Sequence, residues 1–170
     1  MGRQLIAAGR ADKSTLLPIG AVRIGAVVKS GAPRPDVSTM DALRRALVDA
    51  DAVLLTNAPT GDHLLVVIDR MGLTATVAPK LRRFDTATLL NKHLAENPAT
   101  GALGFGPATE ILAWRGKGIE WSGPVPDAIQ IVLPYSAVML SSAKAEPSRR
   151  LLGFLETAAG RKHFHDSGVE

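Results

Sequence analysis

Three short stretches bring turn residues, hydroxyls and glycine together directly after an apolar run: Asn57-Ala58-Pro59-Thr60-Gly61, Arg83-Phe84-Asp85-Thr86 and Phe105-Gly106-Pro107. Each reads as a strand end running into a helix start. The first turn of a helix leaves backbone N–H groups without intrahelical acceptors, and the helix dipole adds partial positive charge there, worth about 0.3–1 kcal/mol toward a nearby anion. Several such starts gathered on one pocket would suit an oxyanion or a carboxylate. Thr60 adds a hydroxyl, Gly61 removes a side chain from the path to the backbone, and Asp85 and Thr86 head the next helix behind a pair of arginines. The expected ligand-binding positions are therefore Thr60, Gly61, Asp85, Thr86, Phe105, Gly106 and Pro107. The same residue types also cap helices that bind nothing, and the Asp62 carboxylate would compete with an anion for the N–H groups beside it. GALGFG fits neither the GxxxxGKS/T loop nor the GxGxxG pattern, so no known phosphate loop is expected.

Other reactive residue types are sparse. His163 and His165 stand two apart, and on a helix they would point to different sides, so no metal site is expected. His63 is placed to be a general base at the first turn or a hydrogen-bonding surface group. Tyr135-Ser136 lacks His and Asp partners at hydrolase spacing. With no cysteine in the chain, disulfides, thiolate metal sites and a cysteine nucleophile are excluded. Trp114 and Trp121 flank a glycine-rich loop and are expected to pack over the core edge. No catalytic residue, metal or cofactor is assigned.

The elements that must position these turns follow from the surrounding pattern. At 46% hydrophobic but only 4% aromatic, the chain must fill its core with Leu, Val, Ile and Ala. The net charge of +4 is carried by single or paired Lys and Arg, not by a basic stripe interleaved with aromatics, so nucleic acid is not an expected partner. No run approaches the roughly 18 apolar residues of a membrane span. The opening MGRQLIAAGRADKS has a basic start, but LIAA is too short for the apolar part of a signal peptide.

GRQLIAAGR reads as a short helix closed by Gly9, and VRIGAVVKSG (22–31) as a buried strand. A helix over 39–50 is capped by Ser38 or Thr39, and AVLL (52–55) is a strand. A helix over DHLLVVIDRMG ends at Gly72, TATVAPKL is strand-like up to Pro79, and DTATLLNKHLAENP is a helix capped by Asp85 or Thr86. GALGFG is a strand, and PATEILAW a helix with Pro107 as its first residue. Beyond Gly116 come a short strand near 119–121, two strand-like runs broken by Pro134, and a helical C-terminal region ended by Gly168. Strands alternating with helices predict an α/β fold with a mostly parallel sheet flanked by helices.

The blocks RIGAVVKSGAPRPDVSTMDALRRAL, LLTNAPTGDHLL, GALGFGPATEIL, GIEWSGPVPDAIQIVLPYSAVMLSSA and RRLLGFLETAAGRKHFHDSGVE, taken in this order, resemble the molybdate-binding-protein-like branch of the extracellular (periplasmic) solute-binding proteins. The resemblance covers nearly the whole chain. It implies a type 2 periplasmic-binding-protein fold of two α/β lobes that close on a small anion. Residues 30–122 would then form the second lobe, with 1–29 and 123–170 giving a partial first lobe and the hinge crossings. In that family a further β-α-β-α section, preceded by a signal peptide, comes before the block resembling GRQLIAAGRADKS and supplies two serine-bearing loops to the anion.

The expected chain is thus a truncated version, with only the second-lobe half of the ligand shell carried over. The family implies a periplasmic location and an ABC transporter permease as partner, whereas Met1 as a true start would imply a cytoplasmic one. Sheet edges left bare favour a homodimer. The expected function is binding of a small oxyanion or organic acid. An aconitate-isomerase-like activity with His63 or Asp62 as base, and a non-binding oligomeric remnant, stand as the alternatives.

Overall fold

The computed structural model describes residues 2–99 and 101–170. The chain divides into two compact units, Arg23–Ile131 and a second made of the residues up to Val22 together with Val132–Glu170.

In chain order the elements are α1 (Gly2–Ala7), β1 (Leu17–Val22), β2 (Ile24–Lys29), α2 (Met40–Asp49), β3 (Ala52–Thr56), α3 (Pro59–Arg70), α4 (Thr74–Val77), β4 (Leu81–Phe84), α5 (Ala87–Glu96), β5 (Ala102–Pro107), α6 (Ala108–Leu112), β6 (Ile119–Pro124), β7 (Leu133–Ala137), α7 (Ala145–Glu156) and α8 (Ala158–Asp166).

The unit Arg23–Ile131 is built on a five-stranded sheet of order β4-β3-β5-β2-β6. β3 pairs in parallel with β4 and β5, while β2 runs antiparallel to both β5 and β6. β3, β4, β5 and β6 thus share one direction and β2 alone is reversed, so the mostly parallel expectation holds with one strand running against the rest. β2 is buried on both faces and so reads alike in either direction, but it enters from the far end of the sheet. Alternation along the strands splits the core. Ile24, Ala26, Val53, Leu55 and Leu103 pack with Leu43, Leu47, Leu64 and Ile68 of α2 and α3 on one face. Val27 and Leu54 pack with Leu90 and Leu94 of α5 and Ile111 of α6 on the other. Trp114 and Trp121 pack against this second cluster.

Local signals explain most helix ends. Thr39 caps α2 by accepting from the Ala42 N–H, Thr86 caps α5 by accepting from the Leu89 N–H, and Gly72 past α3 has φ +69°. At the other ends, basic side chains satisfy the terminal carbonyls. Lys80 Nζ donates to Val48 and Ala50 (2.6 and 2.7 Å), Arg44 Nη2 donates to Met71 (2.6 Å), and Lys29 Nζ donates to Ala95 and Asn97 (2.9 and 2.5 Å).

TATVAPKL is not a strand. Thr74–Val77 is a helical turn followed by a 3-10 turn over Ala78–Lys80, because Leu73 and Val77, four apart, both reach the core in that conformation (5% and 1% exposed). Pro107 ends β5 and caps α6 without entering it. The two strand-like runs around Pro134 resolve into a 3-10 turn over Asp127–Ile129 and β7, which contains Pro134 itself. VRIGAVVKSG belongs to two strands separated at Arg23.

The second unit is a two-stranded antiparallel β1–β7 sheet with α1, α7 and α8. Short bridges tie Ala11 to Leu140 and Val22 to Val169. The expected boundaries at 30 and 122 differ from the observed divisions after Val22 and after Ile131, since β2 and β6 both belong to the five-stranded sheet.

Candidate functional site

β3, β4 and β5 run the same way and lie side by side, with Thr56 opposite Phe84 and Leu54 opposite Gly104. Their carboxyl ends therefore meet at one end of the sheet, and each passes at once into a helix: β3 into α3, β4 into α5, β5 into α6. All three sequence-predicted turns are brought to this end, where ligands collect in open α/β sheets.

The three helix heads differ in what already occupies them. At α5 the Thr86 hydroxyl takes the Leu89 N–H at 3.2 Å, so this head is closed by its own cap. α6 has only five residues and starts after Pro107, which has no N–H to give. α3 has twelve residues, Ala58 as its cap position and no side-chain cap bond. Its early N–H groups remain open to an external acceptor.

Asp62, the carboxylate placed to fill that gap, is drawn away from it. Arg83 Nη2 donates to Asp62 Oδ1 at 2.7 Å, and Arg83 Nε donates to Asn57 Oδ1 at 2.9 Å. Asn57 Nδ2 in turn donates to Asp85 Oδ1 at 2.8 Å, and the Asn57 N–H donates to the Phe84 carbonyl at 2.7 Å. The turn after β3 is thus fastened to the end of β4 by a chain of four polar residues. Sequence spacing had no means of pairing Arg83 with Asp62, which meet only through the β3–β4 register.

Thr60 is 7% exposed and Thr56, the last residue of β3, is 4% exposed. Neither hydroxyl has a hydrogen-bond partner among the described residues, and neither is completely sealed, a condition met by Ser122 Oγ alone among unpaired buried side-chain oxygens of the described residues. Asn91, the other buried polar residue of this core, is satisfied through the Glu110 carbonyl at 3.2 Å. The two threonines at the β3–α3 turn are thus the unsatisfied hydroxyls at the sheet end. Thr56 lies just past the expected AVLL strand and was not among the expected ligand positions; a hydroxyl closing LLT at a strand's carboxyl end was the available signal.

The remaining expected positions divide by role. A Cβ on Gly61 would lie 2.0 Å from the Thr56 carbonyl oxygen, so this glycine lets α3 settle on the strand end. The Phe105 side chain lies in the core on the α2–α3 face. Asp85 is exposed and holds Asn57, and Thr86 caps α5. Gly106 is buried on β5.

His63 Nε2 lies 2.7 Å from the Ile129 carbonyl, so that nitrogen carries the proton and Nδ1 is left as an acceptor. His163 and His165 lie on α8, and no group of three or more metal-ligating side chains occurs among the described residues. No described helix is long and apolar enough to cross a membrane.

The sequence profile of the bacterial extracellular solute-binding proteins matches residues 1–170. The chain belongs to that family. Among curated relatives, this solute-binding protein is 31% identical to an aconitate isomerase from a Pseudomonas species, over 98% of this chain but only 63% of the relative's length. Among solved structures, it superposes on the periplasmic molybdate-binding protein of Azotobacter vinelandii with TM-score 0.70 at 14% identity, covering 99% of this chain and 73% of that one. The L-phospholactate-bound structure of PEB3, a Campylobacter jejuni protein, matches with TM-score 0.69 at 8% identity over 94% of this chain and 69% of that one. A tungstate-binding protein of Desulfovibrio alaskensis matches with TM-score 0.57 at 11% identity over 95% and 68%. At these identities the structural matches speak to the fold, which is that of the periplasmic binding proteins.

Proposed function

We propose that this solute-binding protein holds a small oxyanion or organic acid at the carboxyl ends of β3, β4 and β5, with backbone N–H groups at the head of α3 and the Thr60 hydroxyl as donors. Asp85, Thr86, Phe105, Gly106 and Pro107 frame the pocket. The observation that carries this reading is the open head of α3, uncapped and beside a buried, unpaired Thr60 while Asp62 is turned onto Arg83. The molybdate, tungstate and phospholactate in the structural relatives' names are all small anions, which supports the same ligand class. Arg23–Ile131 corresponds in this reading to the second lobe and the remaining unit to part of the first. An ABC transporter permease is the partner that goes with the family, and a second copy of the chain is the partner that suits the exposed Leu151 and Phe154 of α7.

A thermal-shift panel of molybdate, tungstate, sulfate, phosphate and aconitate tests the reading. A ligand at one hundred times its Kd stabilises the native state by about 2.7 kcal/mol, so a true ligand gives a shift of several degrees. No shift with any of them at millimolar concentration would refute the proposal.

The 31% identity to an aconitate isomerase favours a second reading, in which the bound anion is aconitate and the site also moves its proton. His63 Nδ1 is the candidate base: it would take a proton from the methylene carbon, the double bond would shift, and the proton would return at the former vinylic carbon. Asp62 is less suited because Arg83 holds its carboxylate. An absorbance assay with cis- and trans-aconitate decides it, since His63→Gln should abolish turnover while binding persists.

A further inference from the structure

Glycine in a strand is costly in conformational entropy, and most glycines here have a visible reason to be glycine. Gly9, Gly31, Gly72 and others adopt positive φ, while Gly25, Gly61 and Gly104 would drive a Cβ to within 3 Å of neighbouring protein atoms. Gly106 has neither reason. Its φ is not positive, and a Cβ there would meet only Ile111 Cδ1, at 4.0 Å, an ordinary contact. Yet Gly106 is buried in β5. A side chain of one carbon would therefore fit there without moving the protein.

The register shows what borders that space. Leu54 pairs with Gly104, so two residues further on Thr56 comes beside Gly106, and in parallel strands such neighbours face the same side. That side is the α5–α6 face, because Leu54 packs there with Leu90 and Ile111. Thr56 is more than nine-tenths buried, and its hydroxyl has no partner among the described residues.

We infer that Thr56 and Gly106 form a notch that receives one oxygen of the bound anion, Thr56 Oγ1 donating to it and the bare face of Gly106 giving it room. This rests on the site proposed above and deepens it. The solute must present at least two acceptor oxygens, one for the α3 head and Thr60 and one for the notch, as a tetrahedral oxyanion or an organic acid does and a singly coordinated halide does not. Gly106 is then kept as glycine by the ligand, and its replacement narrows the range of anions accepted.

The test uses the full chain with molybdate, sulfate, phosphate, aconitate and chloride as probes. Gly106→Ala is expected to keep or raise the unliganded Tm and to weaken binding of the responding oxyanion or acid by about tenfold or more, and Thr56→Val to weaken it by roughly five- to tenfold, the loss of one hydrogen bond. Gly153→Ala, at an exposed helix position with nothing within 4 Å of its added Cβ, serves as a control that leaves binding unchanged. If the wild type responds and both site variants bind as it does, the notch is refuted while the proposed function stands. A Gly106→Ala protein that is destabilised without ligand would show that the fold needs this glycine, and would also overturn the inference. No response from the wild type to any oxyanion or acid would overturn the proposed function and the notch together.

Discussion

Arg83 of β4 and Asp62 of α3 form an ion pair of 2.7 Å across the turn that follows β3. With side-chain exposures of 24% and 67%, the pair contributes little to stability, on the order of 0–1 kcal/mol. Its effect is on occupancy. A free Asp62 carboxylate in the first turn of α3 is placed to fold back on the open N–H groups there and exclude an anion. Arg83→Gln should therefore leave Tm within about a degree or two and weaken anion binding roughly three- to tenfold, the competition being worth about 1 kcal/mol. Arg83→Gln combined with Asp62→Asn should recover most of the affinity. Titration calorimetry of the wild type, Arg83→Gln, Asp62→Asn and the double variant measures the coupling, and additive losses in the double variant would show that Arg83 acts on the ligand directly.

Gly61 separates a packing role from a binding role. Because its Cβ position lies 2.0 Å from the Thr56 carbonyl oxygen and about 3 Å from that residue's carbonyl carbon and nitrogen, Ala at 61 must push α3 off the end of β3. The expected loss is about 2–3 kcal/mol, in the range of overpacked cores, read as a lowered midpoint in urea. A Gly61→Ala protein of wild-type stability would mean that the head of α3 adjusts freely, and the site geometry argued from it would no longer hold.

Much of this arrangement could be read from the chain. The head of α2 was legible because Thr39 precedes apolar residues at helical spacing, and the three turns at the sheet end were legible as strand-to-helix junctions. Three things were hidden. The direction of β2 leaves no trace in a strand buried on both faces, so its reversal within a mostly parallel sheet could not be foreseen. The β-branched Thr74 to Val77 stretch looks extended until the core claims Leu73 and Val77 together, a tertiary demand that overrides local preference. The division of labour at the site depends on contacts that the sequence does not show: Arg83 with Asp62, and Gly61 against the Thr56 backbone. Gly61 and Gly106 look alike in the sequence, and only the atoms around them show that a Cβ at the first would strike the Thr56 backbone while one at the second would make an ordinary contact.

The unit containing α7 makes a separate prediction. Leu151 and Phe154 are three apart on that helix and 59% and 45% exposed, and α7 contributes no buried residue at all. Gly153 between them is open, which lets another helix approach closely. In an antiparallel pair of α7 helices centred between Leu152 and Gly153, Leu151 of each copy meets Phe154 of the other, and Arg149 meets Glu156. Light scattering coupled to sizing should give a dimer for the wild type and a monomer for Leu151→Lys or Phe154→Lys. A monomeric wild type at about 100 μM would dismiss the self-pairing, since a specific dimer of useful size should persist there.

Glu110 of α6 offers a pH-dependent readout near the sheet end. Glu110 is exposed as a residue, but neighbouring protein atoms partly desolvate its carboxyl and raise its pKa above the ordinary 4.5. A carboxyl whose folded-state pKa is raised binds its proton more tightly in the native state, so its favourable contribution is full below the unfolded pKa and is lost as pH rises through the folded value. At neutral pH the ionised Glu110 therefore weighs against folding. Glu110→Gln should be more stable than the wild type at about pH 7, with the gap closing as pH falls toward about 4. Asp12, Asp36 and Asp166 shift the opposite way, through hydrogen bonds from Ser14, Ser38 and Lys162, and lose their contribution in acid. They do so equally in both proteins, so the difference in Tm between variant and wild type, followed from pH 4 to 8, isolates Glu110. A difference that stays flat across that range, or a variant less stable at neutral pH, would mean that the Glu110 carboxyl is as well solvated in the native state as in the unfolded one.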